Sequence, residues 1–258
     1  MANRTISSLV ESGLAIGAST VRTLIWRCDR WLSRHYRNDL VYRRAVLGQM
    51  IPWSEGVLLP EFRAGRSIVD FLAVTDSLHA VEIKSDLDNT SRLDTQLHDY
   101  RKIAPLVSIL ASKRVVERVL AVPDFHTVGL HWLDVNGRVE TVRDAQYSRE
   151  FLDSEVLMRS LRRAEYLKVL SALGSAVPDL PNTRVFAYAL AVSRDLDSLA
   201  FHNAVAEQLR ARKPRAGRSL IARLPDPVRP AVLKLDPTRQ QISSLQDWMN
   251  QEVANVYA

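Results

Sequence analysis

"DFLAVTDSLHAVEIKSD", residues Asp70–Asp86, is the stretch on which the fold turns. Two apolar, strand-like segments flank a short turn, yet they carry Asp70, Glu82 and Lys84. Strands buried on a core avoid charge, because an ion removed from water is costly unless something compensates it. A three-residue turn (Thr75, Asp76, Ser77) places Val74 opposite Leu78 and therefore Asp70 opposite Glu82. The same register pairs Phe71 with Val81 and Val69 with Ile83, which predicts an apolar face for a core. A slip of one residue would exchange the two faces.

Facing carboxylates repel each other and call for a cation between them. Hard oxygen ligands suit Mg²⁺ or Mn²⁺, which keep several waters and bind phosphate oxygens on their open side. Such an ion polarises a phosphodiester and lowers the pKa of a bound water. Lys84, two residues along on the same face, would orient the nucleophile and neutralise charge in the transition state. The plainer alternative is an exposed hairpin face on which Lys84 pairs with Glu82 or Asp70.

Around this hairpin the pattern alternates. Ser67–Val74 and His79–Lys84 read as strands, Thr90–Ile103 as a helix, Leu106–Leu110 as a strand and Val115–Leu120 as a short helix. Thr127–Leu133 and Arg138–Val142 flank Asn136-Gly137, a strong hairpin signal. Upstream, Arg4–Leu32 and Asn38–Met50 have helical periodicity. Downstream, Glu155–Leu173, Arg184–Ala191, Ser198–Arg212 and Ile242–Val256 read as helices. The proline-rich stretch 214–237 reads as an extended loop. The expected organisation is an N-terminal helical segment (1–37), an α/β core (38–147) and a C-terminal helical subdomain (148–258).

The 258 residues carry a net charge of +6, unevenly placed. Residues 1–50 hold eight arginines against three acidic residues. Residues 208–229 hold seven lysines and arginines against Asp226 alone. Basic ends around an acidic middle suggest an anionic polymer, held near the carboxylates. Arg212, Lys213, Arg215 and Arg218 in the second cluster, with Arg63 and Arg66 beside the Asp70 strand, are the expected nucleic-acid contacts. The single cysteine, Cys28, excludes an internal disulfide framework and fits a cytoplasmic location. No apolar run is long enough to span a bilayer, and Glu11 spoils the run Ser12–Val21 as a signal peptide.

"RSIVDFLAVTDSLHAVEIKSD" resembles the core motif of the PD-(D/E)xK, or restriction-endonuclease-like, nuclease superfamily. The next helix, "TSRLDTQLHDYRK", carries Gln96 and Tyr100 in the Q-x-x-x-Y pattern of RecB-type members. "NDLVYRRAVLGQMI" looks like the first helix of that fold, which places Asp39 as the third acid of the metal site. Glu61, in "LPEFRAGRSIVD", is the competing candidate. Val69 stands where that family often has proline. The resemblance implies a four-stranded mixed sheet flanked by helices, with Mg²⁺ (or Mn²⁺) on Asp70, Glu82 and the Ile83 carbonyl. Lys84 would lie near the attacking water, and Gln96 and Tyr100 would support the site or contact DNA backbone. The expected function is a metal-dependent nuclease acting on DNA. The alternative is a catalytically weak or inactive nuclease-like module that binds nucleic acid or protein.

Overall fold

The computed structural model describes Gly13 and residues 17–51, 56–85 and 87–257. In chain order its elements are α1 (Val21–His35), α2 (Asp39–Ala45) running into a π turn (Val46–Met50), β1 (Val57–Ala64), β2 (Ser67–Val74) and β3 (Leu78–Lys84). Then come α3 (Leu93–Ile103), β4 (Leu106–Ala111), α4 (Lys113–Leu120), β5 (Gly129–Leu133) and β6 (Val139–Arg143). A helical run follows: α5 (Ser154–Met158), α6 (Arg163–Ala172), α7 (Asn182–Asp195), α8 (Ser198–Arg210), α9 (Arg218–Ala222), α10 (Arg229–Leu235), α11 (Arg239–Asn250) and α12 (Val253–Tyr257). The fold is α/β, a mixed sheet flanked by helices with a helical C-terminal region. The helix expected over 4–32 lies partly outside the described residues; its described part starts at Val21, where Thr20 and Thr23 cap it reciprocally.

The strands form one sheet in the order β1-β2-β3-β4-β5-β6, six rather than the four that the resemblance implied. The β1/β2, β2/β3 and β5/β6 pairs are antiparallel, and β3/β4 and β4/β5 are parallel. β1 escapes a reading by pattern because Pro60 and Glu61 interrupt it. It lies at the sheet edge, where the missing proline N–H leaves no second neighbour unpaired.

The β2/β3 register is the expected one from Val74↔Leu78 to Phe71↔Val81, but the ladder stops there. Instead of a further ladder bond, the Ile83 N–H donates to Asp70 Oδ2 at 2.9 Å. The expected division into an apolar and a charged face also needs correction, since both faces are buried. Leu72, Ala80 and Ile109 share a core with Leu97 and Tyr100 of α3. Phe71, Val81 and Leu110, of opposite parity, are equally inaccessible. The charges therefore occupy one end of an interior strand pair, where compensation is compulsory rather than optional.

Residues pack into two units. One holds 1–50, 134–138 and 214–258, and the other 51–133 and 139–213. These units cut across the three expected segments. Residues 38–50 and the Asn136-Gly137 turn group with α1, whereas α5–α8 share the sheet's own core through Leu157, Tyr166, Val169, Phe201 and Leu209. Two helix expectations also change. Residues 155–173 split into α5 and α6, because a fresh start forms at Arg162, whose N–H is capped by the Glu165 carboxylate at 2.7 Å. The 214–237 stretch is largely helical: Pro227 and Pro230 sit in the first turns of their helices, where proline costs no hydrogen bond.

Gly129 begins β5 so close to its neighbours that an added Cβ would lie 2.8 Å from the Ala145 backbone nitrogen and 2.4 Å from Ser108 Oγ. Backbone cannot yield as a flexible side chain can. Gly129→Ala is therefore expected to destabilise by about 1–3 kcal/mol, read as a lower urea midpoint at unchanged slope.

Candidate active site

Glu82 is the centre of the site. It sits on β3 at 2% exposure, deep enough that every oxygen needs a partner. Oε1 receives Lys84 Nζ at 2.8 Å and Gln96 Nε2 at 2.9 Å. Oε2 receives the Tyr100 hydroxyl at 2.6 Å. Lys84 reaches Glu82 because residues two apart on a strand share a face. Gln96 and Tyr100 reach it because residues four apart on a helix do. The Q-x-x-x-Y pair is thus not mere helix packing: both side chains hold the same carboxylate.

The hydroxyl of Tyr100 also lies 2.9 Å from the Ile68 carbonyl and accepts from Gln96 Nε2 at 3.1 Å. Its single proton can serve one acceptor at a time, and the shorter contact assigns it to Glu82. If Glu82 takes up a proton, the carboxyl can donate to Tyr100 while Tyr100 turns to Ile68, so the network accommodates both states. Gln96 Oε1 is buried with no partner among the described residues, an acceptor left open inside the cluster.

Burial, and after it the negative charge of Asp70, push the Glu82 carboxyl up to about 7 against the pull of Lys84 and Tyr100. Burial and the Glu82 charge raise Tyr100 far above the ordinary phenol, so it stays protonated. Asp70 itself is half-buried and anchored through the Ile83 N–H. The structure thus brings Asp70, Glu82, Lys84, Gln96 and Tyr100 together, with the Ile83 peptide between the acids.

The two candidates for the third acid fall in different packing units. Asp39 belongs to the other packing unit, where Arg43 Nε binds it at 2.6 Å. Glu61 occupies the register position facing Asp70, between the Pro60↔Phe71 and Phe62↔Val69 pairs. Its φ of 51° is left-handed, a conformation that costs a side-chain-bearing residue about 1 kcal/mol. The sequence signal was there, an acid the same distance before the turn as Asp70 lies after it, but a left-handed backbone in a strand has no pattern of its own. Among the described residues, no three His, Cys, Asp or Glu side chains converge as a metal cage.

The expected nucleic-acid contacts are also divided. Arg63 and Arg66 are exposed beside the β1/β2 turn. Lys213 and Arg215 are exposed as well, but Lys213 belongs to the sheet unit and Arg215 and Arg218 to the other. Arg212 has a partner within the protein. It grips Glu165 through Nε and Nη2, both at 2.7 Å, and lies over the Phe62 ring. Its planar fork suits this bidentate grip, and the two side chains are largely shielded from solvent.

The fold and site define an α/β protein with a buried acid–lysine cluster at one end of its central strands. Residues 34–235 match the family model of bacteriophage P4 protein cII, and the chain belongs to that family. A protein of unknown function from Silicibacter pomeroyi is 19% identical, covering 53% of this chain and 93% of that one, with a TM-score of 0.34. No curated protein matches. No helix among the described residues is long and apolar enough to cross a membrane.

Two outcomes are expected here. Because Glu82 holds its proton more tightly in the folded chain, its contribution to stability is complete below pH 4.5 and lost as pH rises through about 7. In EDTA, the urea midpoint of Glu82→Gln should lack that component, so the gap between variant and parent widens in the variant's favour from pH 5 to pH 8. Identical pH profiles would show that the carboxyl is not strained. Arg212→Ala should cost about 1–3 kcal/mol of stability by stranding Glu165, while leaving the salt dependence of any nucleic-acid binding unchanged.

Proposed function

We propose that the protein is a divalent-metal-dependent nuclease that hydrolyses phosphodiester bonds, with DNA as its substrate. The observation that carries this reading is the buried Glu82 carboxylate held against Asp70 by Lys84, Gln96 and Tyr100. A fold needs no second carboxylate beside a buried first one, and the pair raises the cost of ionising Glu82. A cation relieves that cost. Asp70, Glu82 and the Ile83 carbonyl form an all-oxygen donor set suited to Mg²⁺ or Mn²⁺, and Gln96 Oε1 leaves an acceptor for a water beside it. When bound, such an ion supplies charge on the phosphate oxygens and a water of lowered pKa.

The protein's own groups do the rest. Glu82 sheds its proton near neutrality, which readies the site in the working pH range. Gln96 and Tyr100 fix the carboxylate's orientation, and the Ile83 N–H fixes Asp70. Lys84 brings a positive charge to the cluster, where it would hold the attacking water and offset charge developing on the phosphate. Glu61, on the strand next to Asp70 between the Pro60↔Phe71 and Phe62↔Val69 pairs, is the acid this reading would add to the pair. A cytoplasmic location completes the proposal, supported by a single cysteine.

One observation favours a second reading. Lys84 already neutralises Glu82 at 2.8 Å, an arrangement that would also serve a catalytically weak module that binds nucleic acid or protein.

Purified protein, given linear and closed circular DNA with Mg²⁺ or with EDTA, tests the choice. Metal-dependent cleavage is expected, falling at least about 100-fold in Asp70→Ala and Lys84→Ala. The melting temperature of Asp70→Asn, which keeps an acceptor for the Ile83 N–H, should hold or rise without metal as repulsion is relieved. Undiminished cleavage in both alanine variants would sink the assignment. Binding without cleavage in any metal would point to the second reading.

A further inference from the structure

The nuclease reading leaves unused a basic and aromatic face on α1. A groove of about 350 Å³ lies wholly within the unit that contains this helix. Trp26, Arg30 and Arg34 of α1 line it together with Arg44 and with Val135 and Asn136 of the β5/β6 turn. Arg44 is committed: it pairs with the buried Asp29 and donates to Ser33 Oγ at 3.2 Å. Asp29 is thereby spent and does not offset the other two cations. Asp134, the acid next to Val135, turns its carboxylate into its own turn, accepting the Asn136 and Arg138 N–H groups. Arg30 and Arg34 are exposed and have no ion-pair or hydrogen-bond partner among the described residues.

Trp26, Arg30 and Arg34 follow one another at four-residue steps, so they form a single row along the helix. Two like charges at that spacing repel, a small but standing cost that an anion between them removes. Trp26 is 38% exposed in a groove, not tucked into a core. Val135, 76% exposed, adds a second apolar surface to the lining. A ring face followed by two exposed guanidiniums matches a base stacked at one end and phosphates held along the row. A base inside a duplex has both faces covered by its neighbours, so ring stacking selects an unpaired strand.

We propose that this groove is a docking site for single-stranded nucleic acid, with Trp26 stacking a base and Arg30 and Arg34 holding the backbone. The proposal deepens the nuclease reading by naming what holds the strand, and it rests on that reading for nucleic acid as the polymer.

Binding of the full chain to a labelled short oligothymidine in EDTA, followed by anisotropy across a salt series, tests it without any cleavage. Trp26→Ala is expected to weaken binding about 5- to 150-fold, the range for loss of one stacked base. Trp26→Leu, which keeps apolar volume without the wide ring, should give a similar loss and guards against a folding defect. The double variant Arg30→Ala/Arg34→Ala should lower the slope of log K against log salt by about 1.4. Heparin, a polyanion without bases, should respond to the arginine variant but not to Trp26→Leu. Wild-type affinity and slope in all three variants would overturn the groove. So would equal losses for heparin and oligothymidine in Trp26→Leu, or a duplex that binds as tightly as the single strand. Failure of cleavage in Mg²⁺ with these binding results intact would instead count against the nuclease reading alone.

Discussion

A carboxylate removed from water inside a sheet is the constraint around which the sheet unit is arranged. Glu82 cannot stay buried on β3 without donors, and each donor fixes something larger. Lys84 requires the strand to continue two residues with unchanged parity. Gln96 and Tyr100 set the rotation of α3 about its axis, since a turn of one residue would carry both away from Glu82. Tyr100 then bonds the carboxylate and keeps the Ile68 carbonyl of β2 within reach as the alternative acceptor for its one proton. Asp70 ends the β2/β3 ladder by taking the Ile83 N–H with its side chain. The β2/β3 ladder stops there, so a side chain rather than a backbone carbonyl takes that N–H.

What could be read directly from the sequence was whatever depends on near neighbours. The β2/β3 register follows from a three-residue turn and paired apolar residues, and the Gln96–Tyr100 spacing follows from helix geometry. The Asn136-Gly137 turn is encoded in two residues. What could not be read depends on partners far away in the chain. Arg212 looks like any other member of a basic cluster until Glu165, 47 residues earlier, is placed against it. The strand β1 is hidden by Pro60 and by a left-handed Glu61, features that only its position at the sheet edge makes tolerable. Likewise, no local pattern tells that Pro227 and Pro230 begin helices rather than prevent them.

The basic residues show how weakly sequence charge alone predicts use. Arg43, Arg44, Arg159, Arg194 and Arg212 all face carboxylates within the protein. Their charge is partly offset by these carboxylates, within a helix for Arg43 and between elements for Arg44, Arg194 and Arg212. Arg30 and Arg34 have the same composition around them but no such partner among the described residues, and so retain their field. The net charge of +6 therefore understates how localised the attraction for an anion is.

The way the unit containing α1 is stitched together governs the order in which the chain can assemble. Val21 N–H bonds the Gln251 carbonyl at 3.0 Å, Val253 N–H bonds the Ser19 carbonyl at 3.2 Å, and Val21, Leu24 and Val253 share one small core. These contacts close a loop of more than two hundred residues, among the least local that a chain of this length can make. The sheet, by contrast, pairs each strand with its successor, and its unit is complete with its covering helices once residue 213 is free. During synthesis the sheet therefore takes shape while part of the apolar side of α1 still faces water, awaiting residues 248–253. Until then that helix is the segment most in need of protection from association with other chains.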